Sequence, residues 1–186
     1  MQFSENRKIA FVVLAVCVLA SIFGLGGMGL ARERGSVLAV YDRGADTSLS
    51  TRHSVDAYLD SASESARLMA SEGQLHLKDS QVQLADSVEE LAGRMDAAQD
   101  TGERYEAYTA LKSAVDKLYN AMYGAVKGSD YTNFKVAYDD FWENENKIKH
   151  DDYIKLAAGY NGLISGFPGG VVAKLSGQSE LSTFGG

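Results

Sequence analysis

Cysteine is almost missing from this chain. The single thiol, Cys17, excludes an internal disulfide and leaves the redox compartment open. Proline is equally scarce. With Pro168 alone, little in the sequence interrupts a long helix. The three histidines, His53, His76 and His150, follow Ser50, Gly73 and Lys147 at three residues' distance. None completes the Glu-x-x-His pair of a di-iron bundle. There is no His-Glu-x-x-His, no phosphate-binding P-loop and no Gly-x-Ser-x-Gly elbow. Basic charge is short as well. Residues 1–35 carry a net +2, and the rest of the chain holds the balance of the total −7, that is −9. An acidic body repels nucleic acid, so no nucleic-acid partner is expected.

What the chain does have is one long uncharged stretch, residues 9–31, "IAFVVLAVCVLASIFGLGGMGLA". As a helix it is roughly 35 Å long at 1.5 Å per residue, enough to cross a bilayer core of about 30 Å. Arg7 and Lys8 border one end, and Arg32, Glu33 and Arg34 the other. The stretch predicts an uncleaved single-pass membrane helix. A cleaved signal ending at Gly29-Leu30-Ala31 is the rival, although the apolar run is long for one. Bulky Val16 before Cys17 disfavours a lipoprotein signal, and Cys17 itself has no role as a solvent-facing nucleophile inside a membrane helix. Within the stretch, "GLGGMG" has the Gly-x-Gly-x-x-Gly spacing of a dinucleotide loop. It lacks the preceding strand and following βαβ unit that such a loop needs. The glycines instead predict the last turns of the membrane segment. Arg32, Arg34 and Arg43 give a thin basic excess after the span, a lean toward a cytoplasmic soluble domain.

Beyond the span the period is helical. Residues 1–8 read as a short tail and 32–47 as a stalk or loosely helical lead-in, punctuated by Gly35, Gly44 and Asp46-Thr47-Ser48. Residues 48–186 read as the bundle. One stripe runs Val55, Leu59, Ala62, Ala66, Met69 and stops at Gly73. A second runs Leu77, Leu84, Val88, Leu91, Met95, Ala98. A third, opened by an Asp100/Glu103 capping box, runs Tyr108, Leu111, Val115, Leu118, Met122. Gly128-Ser129-Asp130 then stops one helix and caps the next. The fourth stripe runs unbroken from Tyr131 to Phe167 through Phe134, Ala137, Phe141, Ile148, Tyr153, Leu156, Tyr160 and Leu163. Four such faces bury one another in an antiparallel bundle. The expected fold is all-α: a transmembrane helix, about four long bundle helices, and a short terminal helix after Pro168 that folds back on the bundle.

The carboxylates Asp139, Asp140, Glu143, Glu145, Asp151 and Asp152 could attract a cation or a basic partner. Charge runs are more commonly solvated, and Glu143/Lys147 and Glu145/Lys149 read as exposed i,i+4 pairs. Glu72 and His76 likewise read as a solvated pair rather than metal ligands. No catalytic, cofactor or metal residue is assigned.

The C-terminal third, "FKVAYDDFWENENKI" followed by "YNGLISGFPGGVVAKLSG", resembles the LemA family over roughly residues 105–184. Phe134 fits the leading Phe of that signature and Asp140-Phe141 its acidic-apolar step. Glu145-Asn146-Lys147-Ile148 fits Glu-Asn-x-Ile. Tyr160-Asn161, Phe167-Pro168, Ala173 and Gly177 fit the rest. Departures are visible. Tyr153-Ile154 stands for the first Tyr-Asn step, and Glu143-Asn144 competes for the Glu-Asn place. The family's Arg falls near His150 or Asp152, and its first-helix motif is absent. The resemblance implies one membrane helix, a helical bundle and a non-catalytic scaffold or interaction module. Its partners would be the membrane through residues 9–31 and one or more proteins, with self-association left open. Tyr160 and Asn161 would make structural polar contacts, and Phe167 would seal the end of the bundle. A sensory or ligand-binding helical domain is the alternative function, and a metal-dependent enzyme built on the fourth-helix carboxylates comes last.

Overall fold

A computed structural model describes residues 2–47, 50–51 and 53–184. Seven α-helices dominate: α1 (Gln2–Arg43), α2 (Val55–His76), α3 (Val82–Ala97), α4 (Thr101–Met122), α5 (Ser129–Lys149), α6 (Asp152–Ser165) and α7 (Gly169–Leu175). A 3₁₀ turn (Asp79–Gln81) precedes α3, and two-residue strands β1 (Asp46–Thr47) and β2 (Ser50–Thr51) pair antiparallel. The fold is all-α, as the periodicity predicts. The turn signal expected at Asp46-Thr47-Ser48 reaches Ser48, which lies outside the described residues. The chain divides into two compact units, residues 1–39 with 156–181, and residues 40–155 with 182–186.

The second unit is the bundle of α2 to α5. Asp100 caps α4 through the Gly102 and Glu103 amides at 2.8 and 2.9 Å. Glu103 reaches back to the Gln99 amide at 2.9 Å, one residue earlier than a strict capping box. Ser54 caps α2 by accepting from the Ala57 amide. The inner face of α2 carries Val55, Leu59 and Met69 but is otherwise small, with Ala62, Ser63, Ala66, Ala70 and Gly73 all buried. Small side chains let α3 and α5 lie close on either side of it. On α4 and α5 the inward residues are large. Tyr119 stacks on Tyr138 with ring centroids 3.9 Å apart and on Phe134 at 5.9 Å, and Tyr108 meets Phe141 at 6.0 Å. These rings fill the space between two consecutive helices whose backbones stand farther apart.

Four expectations are corrected. Gly73 does not end α2, which continues to His76. A Cβ on Gly73 would lie 2.9 Å from Leu118 Cδ1 and 3.0 Å from the Ala85 Cβ, so that glycine is a packing residue. Gly128, with φ of 72°, takes the cap position before α5, and neither Ser129 nor Asp130 does. In α3 the buried line is Ala85, Val88, Ala92 and Met95, leaving Leu84 and Leu91 half-exposed. The single fourth helix is two helices. Asp151 accepts the Tyr153 amide at 2.9 Å and starts α6 afresh after the break at His150.

In the first unit, α1 is the one described helix long and apolar enough to cross a membrane, with a mean hydropathy of 2.7 over its most apolar stretch and no buried residue there. The helix does not end at its glycines. It runs on through Gly35 and stops at Gly44, whose φ of 78° fits a left-handed helix terminator. Much of the stalk is therefore helix. In this same unit α7 packs on α1: a Cβ on Gly26 would lie 3.3 Å from Val172, and one on Gly27 would lie 3.1 Å from Ser176 just beyond α7.

Candidate functional site

Two constellations stand out, one in each unit. The bundle holds a buried carboxylate. Phe141, Glu145 and Ile148 follow the inward period of α5, and the Glu145 side chain is only 4% exposed. The Tyr108 hydroxyl of α4 donates to Glu145 Oε2 at 2.5 Å. Lys112 Nζ, one turn further along α4, and Lys149 Nζ lie 3.1 and 3.0 Å from Oε1. Burial pushes the Glu145 carboxyl up, but these three donors outweigh it and hold the group below the usual carboxylate range. Tyr108 moves the other way, raised first by burial and then by its bond to the anion. The arrangement is a satisfied ion cluster that ties α4 to α5. Both oxygens of the carboxylate are hydrogen-bonded or ion-paired within the chain.

This corrects the reading of Glu145/Lys149 as a solvated pair. Glu143/Lys147 does remain outside, at 2.7 Å with both partners exposed. The other fourth-helix carboxylates scatter: Asp139 pairs with Lys135, Asp151 caps α6, and Asp152 lies 3.9 Å from Lys155. His76 sits 3.5 Å from Glu72 and 3.7 Å from Asp130. Among the described residues, no group of three or more His, Cys, Asp or Glu is placed to hold a metal ion. Further ion pairs clip neighbouring helices. Arg104 of α4 holds Asp56 and Asp60 of α2, and Arg67 of α2 reaches Glu89 and Asp96 of α3 at 2.5 and 2.6 Å. Beside Arg67 an open groove of about 550 Å³ is lined by Glu64, Leu68, Ser71 and Glu89.

The residues of the family-like signature divide between the units. Phe134, Phe141, Glu145 and Ile148 are buried on α5, whereas Asn146 is exposed and Asn144 takes the inward place, its side-chain amide donating to the Asp140 carbonyl at 3.0 Å. The others lie in the first unit, on α6, α7 and their turns. Asn161 donates to the Leu181 carbonyl at 2.7 Å and accepts the Leu181 amide at 2.8 Å, fastening the chain that leaves α7. Tyr160 is buried, but its hydroxyl has no hydrogen-bond partner. Ala173 is buried, and Gly177, at φ of 68°, terminates α7 with the Gln178 amide bonded to the Ala173 carbonyl. Phe167 corrects its expectation outright. It is 92% exposed, at the tip of the α6–α7 turn beside Pro168, and seals nothing within the chain.

Sequence reasoning paired Glu145 with Lys149 but missed Tyr108 and Lys112 as its other partners. The available signal was the i+4 step from Phe141 and the i−3 step from Ile148, which put Glu145 on the buried line. It also missed an aromatic cluster in the bundle unit, where Tyr41 meets Tyr153 at 5.2 Å and Phe184 at 5.7 Å, and Tyr105 meets Phe184 at 5.3 Å. Comparison with family models, with curated proteins and with solved structures returns no match.

Proposed function

We propose that this chain is a LemA-like, membrane-anchored helical bundle acting as a non-catalytic interaction module. Residues 9–31 form its single-pass anchor, and the soluble helices stand on the cytoplasmic side. One observation carries the reading. The apolar stretch of α1 has no buried residue, whereas the apolar side chains of α2 to α5 bury one another and Glu145 is paired within the bundle. A bundle with its interior filled offers a partner its surface, and the anchor keeps that surface at a membrane. The order of the motif elements from Phe134 to Gly177 supports the family reading.

The test is chemical cross-linking in native membranes, followed by recovery of the full-length protein in mild detergent. The expected result is a protein partner held in constant proportion. Recovery of the chain alone, together with tight binding of a metal ion or metabolite by the full-length protein, would overturn the interaction reading. Protease added to intact cells should leave the bundle untouched. Its degradation would put the bundle outside.

A further inference from the structure

The end of α6, the turn at Phe167 and α7 form a hairpin with an unusual composition. From Leu156 to Ala173 there is no charged residue, and Lys155 and Lys174 bound the run. Leu156, Leu163, Phe167, Val171 and Leu175 are all exposed, at 42%, 56%, 92%, 44% and 67%. Large apolar side chains gathered in one short segment of a chain with an acidic body call for a covering. The hairpin is also tightly built. A Cβ on Gly169 would fall 2.0 Å from the Leu163 carbonyl oxygen, and the Gly170 amide bonds the Gly166 carbonyl at 2.6 Å. The glycines thus let the start of α7 fold directly onto the end of α6.

Its seat identifies what covers it. Val172 of α7 and Ser176 just beyond its end pack at Gly26 and Gly27, inside the uncharged stretch of α1. Gly27 lies about 7 Å along the helix from Arg32, on the side of the apolar window. Within the first unit, then, α7 sits beside the apolar part of α1. At about 21 Å, α6 is too short to cross a bilayer core of about 30 Å.

We infer that the α6–α7 hairpin is a second membrane element, dipping into the lipid beside α1 without crossing, with Phe167 at its inserted tip. Acyl chains cover the exposed apolar side chains, and the bounding lysines suit the headgroup level, where long basic side chains extend toward water. The inference rests on the reading of residues 9–31 as a membrane helix.

The experiment uses full-length protein carrying Cys17→Ala, with one spin-labelled cysteine at a time from Val16→Cys, Leu163→Cys, Phe167→Cys or Asn133→Cys. Each protein is reconstituted into phosphatidylcholine–phosphatidylglycerol vesicles. Collisions of the label with oxygen, which concentrates in lipid, are compared with collisions with a water-soluble nickel chelate. Labels at 163 and 167 should favour oxygen as strongly as the label at 16, and the label at 133 should favour nickel. Nickel-accessible labels at 163 and 167, with the label at 16 in lipid, would overturn the hairpin and leave the anchor standing. Labels at 163 and 167 shielded from both reagents would mean a protein covering, which also overturns it. A nickel-accessible label at 16 would overturn the anchor, and the hairpin with it.

Discussion

Glu145 is the residue on which the bundle's electrostatics turn. Its carboxylate leaves water, a costly step unless donors replace the lost solvent, and Tyr108, Lys112 and Lys149 do so. Removing it in Glu145→Ala strands the buried Tyr108 hydroxyl. The two lysines reach water and lose less. The expected cost is about 1–3 kcal/mol, the range for an unsatisfied buried polar group. Urea unfolding followed by the fluorescence of Trp142, the only tryptophan, measures it. A change within about 0.5 kcal/mol, typical of surface sites, would contradict the assignment. The sign of the pH dependence follows from the depressed carboxyl. A group held lower in the folded state than in the unfolded state contributes its full stability above the unfolded value and loses it as pH falls through the folded one. Acidification from neutral pH into and below the carboxylate range should therefore weaken the wild type more steeply than Glu145→Gln, which has no proton to take up there. Parallel acid profiles for the two proteins would count against the ion cluster.

At the scale of elements, glycine has opposite meanings in neighbouring helices. Gly73 of α2 faces Ala85 of α3 and Leu118 of α4, and the Ala85 methyl has no rotamer with which to withdraw. Gly73→Val should destabilise by about 1–3 kcal/mol through overpacking, although valine is the better helix former. Gly93 of α3 would place a Cβ no closer than 3.9 Å to an Arg67 nitrogen. Gly93→Ala should therefore stabilise by about 0.5–1 kcal/mol. Thermal unfolding of the two variants in the same detergent gives both signs, and a stabilising Gly73→Val would refute the packing role. The same pair shows what the sequence can and cannot display. Hydrophobic period revealed α2, α4 and α5 with their buried lines, because a repeated apolar step is a local property. The role of Gly73 depends on residues from two other helices, so a rule for helix ends misread it as a stop. Asp151 was hidden differently, inside a run of charges where a capping carboxylate looks like any solvated one. Glu145 lay on the buried line, but its partners Tyr108 and Lys112 belong to another helix, and no spacing within α5 could name them.

For the whole molecule the decisive question is whether residues 1–31 stay attached. The glycines of "GLGGMG" bear on it. They lie within the continuous helix α1, and the middle two receive α7. Cleavage after Ala31 would remove that seat and expose buried Val172. The intact mass of protein purified from membranes should therefore include residues 1–31, and a mature chain beginning at Arg32 would refute the anchor. The seat itself can be probed with a control inside the same helix. A side chain at Gly26 or Gly27 runs into Val172 or Ser176, whereas one at Gly24 meets nothing within 4 Å. All three positions lie in the uncharged stretch, so leucine at any of them raises its hydropathy by the same amount. Gly26→Leu and Gly27→Leu should displace α7 and speed hydrogen exchange of its backbone amides. Gly24→Leu should leave exchange at the wild-type rate. Local opening is what such exchange reports, so the contrast separates loss of the α1–α7 contact from general damage to the fold. Equal protection of α7 in all three variants would mean that α7 does not rest on these glycines.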